Sequence, residues 1–297
     1  MITRDKTIPK QDKKLAAMTK HNPELGETIL TGDIKTNVHI QGHGNPVMLI
    51  HGSGPGVTAW ANWRLVIPEL AKTRQVIAPD MLGFGYTQRP QDNTYSVDKW
   101  IRHAIDILDA LGHTKVDLIG NSFGGGLALA LAIAHPERIN RLVLMGSVGV
   151  SFPLTKGLAK VWGYTPSLEN MYELLNIFAF DRNLVTDELA ELRYKASIRD
   201  GFQESFAAMF PAPRQRWIES LASSDKNIRS IKHEALILHG REDDVIPLRA
   251  SLDLFNKMPN AQLHVFGKCG HWTQIEHTAR FCALVENFLS EQAEEAI

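Results

Sequence analysis

Three side chains in this sequence have the types and surroundings that nucleophilic catalysis needs: Ser122, Asp243 and His271. Ser122 is the centre of Gly120-Asn121-Ser122-Phe123-Gly124, which follows the apolar run 116–119 without a spacer and leads into the alanine-rich stretch 125–135. A serine on so sharp a turn is forced into strained backbone, so its neighbours two residues away on each side must be small. Gly120 and Gly124 meet that need, and the strand–turn–helix context is the one a nucleophile elbow requires. A phosphate-binding loop is the competing reading. It needs G-x-G-x-x-G and an acidic residue about twenty positions later, whereas serine takes the middle position here and Asn140-Arg141 stand at that distance.

A serine hydroxyl is a weak nucleophile until a base takes its proton and a third group orients that base. The loop Arg241-Glu242-Asp243-Asp244 directly follows the apolar strand 235–239. Gly270-His271-Trp272 follows the strand 262–266 and precedes the last helix. Asp243 is the chosen acid, with Glu242 and Asp244 as competitors, and His271 is the chosen base among 12 histidines. The chain order of serine, acid and histidine is the order of an α/β hydrolase. Donors for a developing oxyanion are expected from the Phe123 N–H at the start of the elbow helix. The loop His51-Gly52-Ser53-Gly54-Pro55-Gly56, after the strand 47–50, offers the second, by position the Ser53 N–H with Gly54 beside it. A plain tight turn is the alternative for that loop. The turn at Asp80–Gly85 is read as structural.

The elements that must position these loops alternate. A hairpin is expected from 28–30 and 37–41 around Thr31-Gly32-Asp33. Strands follow at 47–50, 76–78, 116–119, 141–145, 235–239 and 262–266, and helices at 61–70, 97–111, 125–135, 249–257 and 278–291. This rhythm predicts a mainly parallel, doubly wound sheet with helices on both faces. It breaks between 150 and 216, where helical stretches such as 167–178 and 187–198 occur without a strand signal. A helical block placed above the strand ends, where ligands bind in such sheets, reads as a lid. The expected divisions are an N-terminal arm at 1–26, core at 27–149, lid at 150–216 and core again at 217–297.

Composition narrows the partners. The 297 residues carry 32 basic and 33 acidic side chains, so no global field favours nucleic acid or an anionic membrane. No apolar run approaches the length of a membrane span, and the charged N-terminus lacks the apolar core of a signal peptide. The two cysteines, Cys269 and Cys282, lack metal-ligand spacing and do not form a disulfide framework. A cytoplasmic enzyme with no metal or organic cofactor and a small substrate is expected.

With these segments in place, the chain resembles the α/β hydrolases that cleave carbon–carbon bonds in the meta-cleavage products of bacterial aromatic degradation. HGSGPG at 51–56, Trp60-x-Asn62, GNSFGG at 120–125 and CGHWTQIEH at 269–277 carry the resemblance, which runs from about 27 to 290. The segments 146–163 and 202–217 are similar to the branch acting on monocyclic substrates, the 2-hydroxymuconate semialdehyde hydrolases and their alkyl-ketone relatives. The arm departs from the usual pattern of that family.

The resemblance implies a vinylogous 1,5-diketone substrate carrying a carboxylate, a dienoate split by water into 2-hydroxypenta-2,4-dienoate and a short acid. It implies ketonisation of the dienol before Ser122 acts on the distal carbonyl, through an acyl-enzyme or a gem-diol. It assigns the carboxylate to a lid arginine, here Arg193 with Arg199 as runner-up, and substrate contacts to Asn62, Asn121 and Trp272. Cys269 also matches the site but lacks its own acid–base partner. A homo-oligomer is implied as well. Phe152, Trp162, Phe178, Met209, Val148 and Val245 are candidates for the pocket wall. A carboxylesterase of the same fold is the alternative, needing neither Arg193 nor Trp272. Dehalogenases and epoxide hydrolases of this fold use an aspartate where Ser122 stands, and a binding protein on this scaffold would be expected to lack a triad member.

Overall fold

A computed structural model of the chain describes residues 22–291, so 1–21 of the expected arm and the last six residues lie outside the described part. The apolar runs pair into one eight-stranded sheet. Its strands are β1 (Glu27–Thr31), β2 (Ile34–Gln41), β3 (Pro46–Ile50), β4 (Gln75–Pro79), β5 (Val116–Asn121), β6 (Ile139–Met145), β7 (Ala235–Gly240) and β8 (Ala261–Phe266). The order across the sheet is β1-β2-β4-β3-β5-β6-β7-β8. The hairpin β1–β2 is antiparallel and β2 joins β4 antiparallel; β4, β3, β5, β6, β7 and β8 run parallel.

The central strands are apolar without interruption because both faces are covered. Along β3, Met48 and Ile50 pack into one core while Val47 and Leu49 pack into the other. The same alternation divides Leu118 from Ile119, and Leu144 from Val143 and Met145. Helices Val97–Ala110 and Phe123–Ala134 cover the first face, and Thr278–Ser290 contributes Phe281, Val285 and Phe288 to the second.

The expected helix at 61–70 is instead two short ones, Ala59–Trp63 and Ile67–Leu70. Thr58 caps the first, and Pro68, having no N–H to donate, starts a new helix rather than continuing the old one. Between β6 and β7 lie six α-helices, from Lys156–Trp162 to Asp225–Ser230, and one 3-10 turn, Arg182–Leu184. The last two, Gln215–Leu221 and Asp225–Ser230, pack on the elbow helix Phe123–Ala134; the preceding helices contact one another.

The elbow is the tightest point of the fold. A Cβ on Gly120 would lie 2.3 Å from the Gly124 carbonyl oxygen, and one on Gly124 would lie 2.3 Å from that of Ile50 and 2.6 Å from that of His51. Gly54 has no such constraint, its nearest neighbour being the Phe178 ring edge at 4.0 Å. Gly124→Ala is therefore expected to lower stability by about 3 kcal/mol or more, and Gly54→Ala by less than about 1 kcal/mol. Urea midpoints of the two variants check this, and equal midpoints would contradict the close approach of β3 to the elbow.

Candidate active site

Ser122 has φ 56° and ψ −115°, a conformation that non-glycine residues rarely adopt. The chain around it holds the strain: its N–H donates to Met145 O at 2.8 Å, and its own carbonyl accepts from Gly125, Gly126 and Val148. Phe123 opens the elbow helix, so its N–H is one of those with no acceptor inside the helix. The Ser53 N–H has no backbone acceptor among the described residues. Both lie beside Ser122, since a Cβ on Gly52 would come within 3.4 Å of the Ser122 Cβ.

His271 and Asp243 meet at the same sheet edge. His271 Nδ1 donates to Asp243 Oδ2 at 2.7 Å. The other carboxylate oxygen accepts from the Val245 and Ile246 N–H groups at 2.8 and 2.9 Å. Burial opposes ionisation of Asp243, but the His271 ring and these donors outweigh it and hold the carboxyl below its ordinary value. Among the other acidic candidates, Glu242 is turned to the Cys269 N–H and to Arg241, and Asp244 is exposed. The His271 N–H donates to Phe178 O at 2.7 Å, so the end of a lid helix holds the base loop.

Ser122 and His271 line one cavity of about 130 Å³. No hydrogen bond joins the Ser122 hydroxyl to the ring among the described residues. Hydrogen bonds of this kind are commonly long before substrate fills the site. Gly54, Asn62, Asn121, Arg193 and Trp272 also line the cavity, as do Ser53, Phe178 and Val245. Phe152, Trp162, Met209 and Val148 do not. They are buried in the core instead: Val148 and Phe152 lie in the irregular segment between β6 and helix Lys156–Trp162, and for Trp162 and Met209 the side of the helix that meets the cavity depends on how that helix docks. Trp162 acts one step back, donating from Nε1 to Ser53 Oγ at 2.9 Å.

Arg199, the runner-up, lies outside the cavity, paired with Glu24 and set against the rings of Tyr86 and Phe202. Cys269 lies outside it too. Burial pushes its thiol up to about 12, which leaves no thiolate for chemistry. Trp272 stacks on Phe178 at 5.2 Å between ring centres.

Two polar cavity residues, Arg64 and Gln274, escaped the sequence reading. Arg64 stands two positions after Asn62 and is the lone cation among the residues of 59–70. That isolation in an otherwise largely apolar stretch is the signal that could have marked it. Gln274 is 1% exposed and donates to Asn62 O at 3.3 Å. The apolar part of the wall, including Leu158, Val161, Met171 and Leu175, had no signal beyond helical spacing.

The chain matches the alpha/beta hydrolase fold family over residues 45–278, which gives its class. It is 66% identical to the 2-hydroxymuconate semialdehyde hydrolase of Pseudomonas sp. (strain CF600), over 94% of this chain and 98% of that one. It is 63% identical to the 2-hydroxy-6-oxo-2,4-heptadienoate hydrolase of a Pseudomonas putida strain, over 92% and 99% respectively. The meta-cleavage product hydrolase CumD of Pseudomonas fluorescens IP01, solved as a serine-to-alanine variant with acetates, superposes with a TM-score of 0.90. That pair is 60% identical over 90% of this chain and 98% of the other. The chain belongs to the meta-cleavage product hydrolases, within the alpha/beta hydrolase fold family.

Behind the loop after β3, His51 donates from Nδ1 to Gly52 O at 2.8 Å and accepts from the Met81 N–H at Nε2, 3.0 Å away. His103 accepts from the Leu82 N–H. Burial lowers these imidazoles to about 4 and about 3. Neutral in the fold, they bind protons below 6.5 only when unfolded, so acid favours the unfolded chain from 6.5 downward. Asp80, which burial raises to about 6, works in the opposite direction between 3.8 and about 6. The histidines prevail: stability is expected to fall by about 2–3 kcal/mol between about pH 7 and about pH 4.5. Urea unfolding at the two values tests this, and an unchanged midpoint would contradict the neutral histidines.

Proposed function

We propose that this chain hydrolyses the carbon–carbon bond of a meta-cleavage dienoate, 2-hydroxymuconate semialdehyde or a short 2-hydroxy-6-oxo-alkyl-2,4-dienoate, within aromatic degradation. The observation that carries the reading is the cavity lining. It brings Ser122 together with a histidine that is paired to a buried carboxylate, and places two arginines on the same wall with no acidic residue among the residues that line it. A wall of that charge suits an anionic substrate, which an ordinary ester does not provide.

In this reading the dienol first moves its hydroxyl proton to carbon 5, giving a keto form whose conjugated carbonyl can accept the electrons of the bond to be broken. His271, its tautomer fixed by Asp243, takes the Ser122 proton as the hydroxyl engages the distal carbonyl. The Ser53 and Phe123 N–H groups receive the oxyanion. Cleavage between carbons 5 and 6 leaves the electron pair on the dienoate. Water supplies a hydroxyl to the acyl fragment and a proton to the other, giving 2-hydroxypenta-2,4-dienoate and a short acid. Asn62, Asn121, Gly54 and Trp272 line the cavity and serve as substrate contacts. The aliphatic lid side chains favour an aldehyde or small alkyl ketone over a phenyl ketone.

No described helix is long and apolar enough to cross a membrane. A cytoplasmic homo-oligomer is the form we infer, on the resemblance.

Loss of the yellow colour of 2-hydroxymuconate semialdehyde, with formate and 2-hydroxypenta-2,4-dienoate appearing in equal amounts, tests the function. Ser122→Ala is expected to lower kcat by about a thousandfold or more, and Asp243→Asn by about a hundredfold or more. Rapid turnover of p-nitrophenyl acetate with none of the dienoate would favour a carboxylesterase instead.

A further inference from the structure

We propose that His239, with Ser251 behind it, is a positioning residue for Asp243: a neutral imidazole that holds the acid loop from within the core so that the carboxylate stays turned to His271. The inference rests on the serine, histidine and acid chemistry proposed above, and not on the choice of a dienoate as substrate.

His239 lies near the end of β7, four residues before Asp243, and is fully buried. A polar ring in such a place needs a partner for each nitrogen. Both are supplied. Nδ1 lies 2.7 Å from Oγ of Ser251, itself fully buried on helix Leu248–Lys257, and Nε2 lies 3.0 Å from Ile246 O. A carbonyl oxygen can only accept, so Nε2 carries the proton and Nδ1 accepts from the Ser251 hydroxyl. Two uncharged neighbours thus fix the tautomer. Burial lowers the pKa of the ring, with Asp243 opposing the shift, and the imidazole is neutral.

The protonated nitrogen faces the acid loop. Ile246, whose carbonyl it holds, is also the residue whose N–H donates to Asp243 Oδ1 at 2.9 Å. The same Nε2 stands 3.5 Å from Asp243 Oδ2, the oxygen that accepts from His271. At that distance the N–H dipole acts on the charge without a full hydrogen bond. Gly146 closes another side, since a Cβ there would lie 3.2 Å from Oδ2 and 3.3 Å from His271 Nδ1. Neutrality matters in this enclosure. A charged His239 would pair with Asp243 and compete with the imidazolium that His271 becomes on taking the Ser122 proton. A neutral N–H orients the acid and leaves its charge to His271.

Two substitutions separate positioning from packing: a glutamine amide nitrogen reaches the place of Nε2, whereas leucine fills the space without a donor. The full-length variants are compared for the rate at which an aryl phosphonate labels Ser122, for kcat and KM on 2-hydroxymuconate semialdehyde, and for the downfield proton resonance of the His271–Asp243 hydrogen bond. His239→Leu is expected to slow labelling and kcat by about tenfold or more, to leave KM within about threefold, and to weaken the resonance. His239→Gln is expected to bring both rates back to within about threefold of the wild type and to restore the resonance. A folded His239→Leu protein with wild-type rates overturns the inference, as does a folded His239→Gln protein as slow as the leucine variant. If His239→Leu does not fold, Ser251→Ala takes its place: labelling should slow by about threefold or more once the tautomer is no longer fixed, and an unchanged rate overturns the inference. Should His239→Leu slow the labelling while the wild type fails to consume the dienoate, the positioning role stands and the proposed reaction falls. Turnover of the dienoate by a wild type whose rates survive His239→Leu removes this inference alone.

Discussion

The close approach of the elbow to the end of β3 governs the rest of the architecture. Gly124 packs so near the Ile50 and His51 carbonyls that no side chain fits between them. This contact places the loop after β3, which carries Ser53, beside Ser122. Holding Ser122 at positive φ costs about 1–3 kcal/mol. The parallel pairing of β5 with β3 on one side and β6 on the other offsets that cost. A sheet buried on both faces is rigid enough to hold such a turn, which explains why it sits at the centre of the sheet rather than at an edge.

Charge is sorted around the cavity rather than spread across it. The acidic groups lie behind the surfaces that line it. Asp243 is enclosed by His271 and two backbone donors, Glu24 by Arg193 and Arg199, and Asp80 by the Ala59 and Tyr86 N–H groups and the Asn37 amide. What faces inward is neutral or cationic. In a low-dielectric enclosure such sorting selects an anion without any long-range field, which agrees with a chain whose formal charge is −1.

The helical lid does more than cover the cavity. Trp162 donates to Ser53 Oγ, Arg193 holds Gly56 O, and Phe178 O accepts from the His271 N–H. Glu276 extends this clamp from the base loop, accepting from Phe180, Asp181 and Gly270. Both loops that flank Ser122 are therefore fastened to the lid. A displacement of its helices would shift the loop of Ser53 and the loop of His271 together.

The strands and the elbow were legible in the sequence because their signals are local. A run of apolar residues reports burial on both faces, glycines two residues either side of a serine report a tight turn, and a Gly-His after a strand reports a loop at the sheet edge. The pairing of His271 with Asp243 followed from strand ends that a parallel sheet must bring to one edge. The partners of Arg193, the exposure of Arg64 to the cavity and the anchoring of Ser53 by Trp162 depended on the tertiary structure. The contacts among them join residues far apart in the chain, 137 positions for Arg193 with Gly56 and 109 for Trp162 with Ser53. Helical spacing in the lid marked Trp162 and Met209 as readily as Phe178, since a helix packed on several sides is apolar around much of its surface. Sequence by itself determined the strands of the sheet and that Ser122, Asp243 and His271 lie in loops at strand ends on one edge. Only the docking of the lid on the sheet decided which side chains face the substrate, because that choice rests on contacts between segments whose spacing along the chain carries no period.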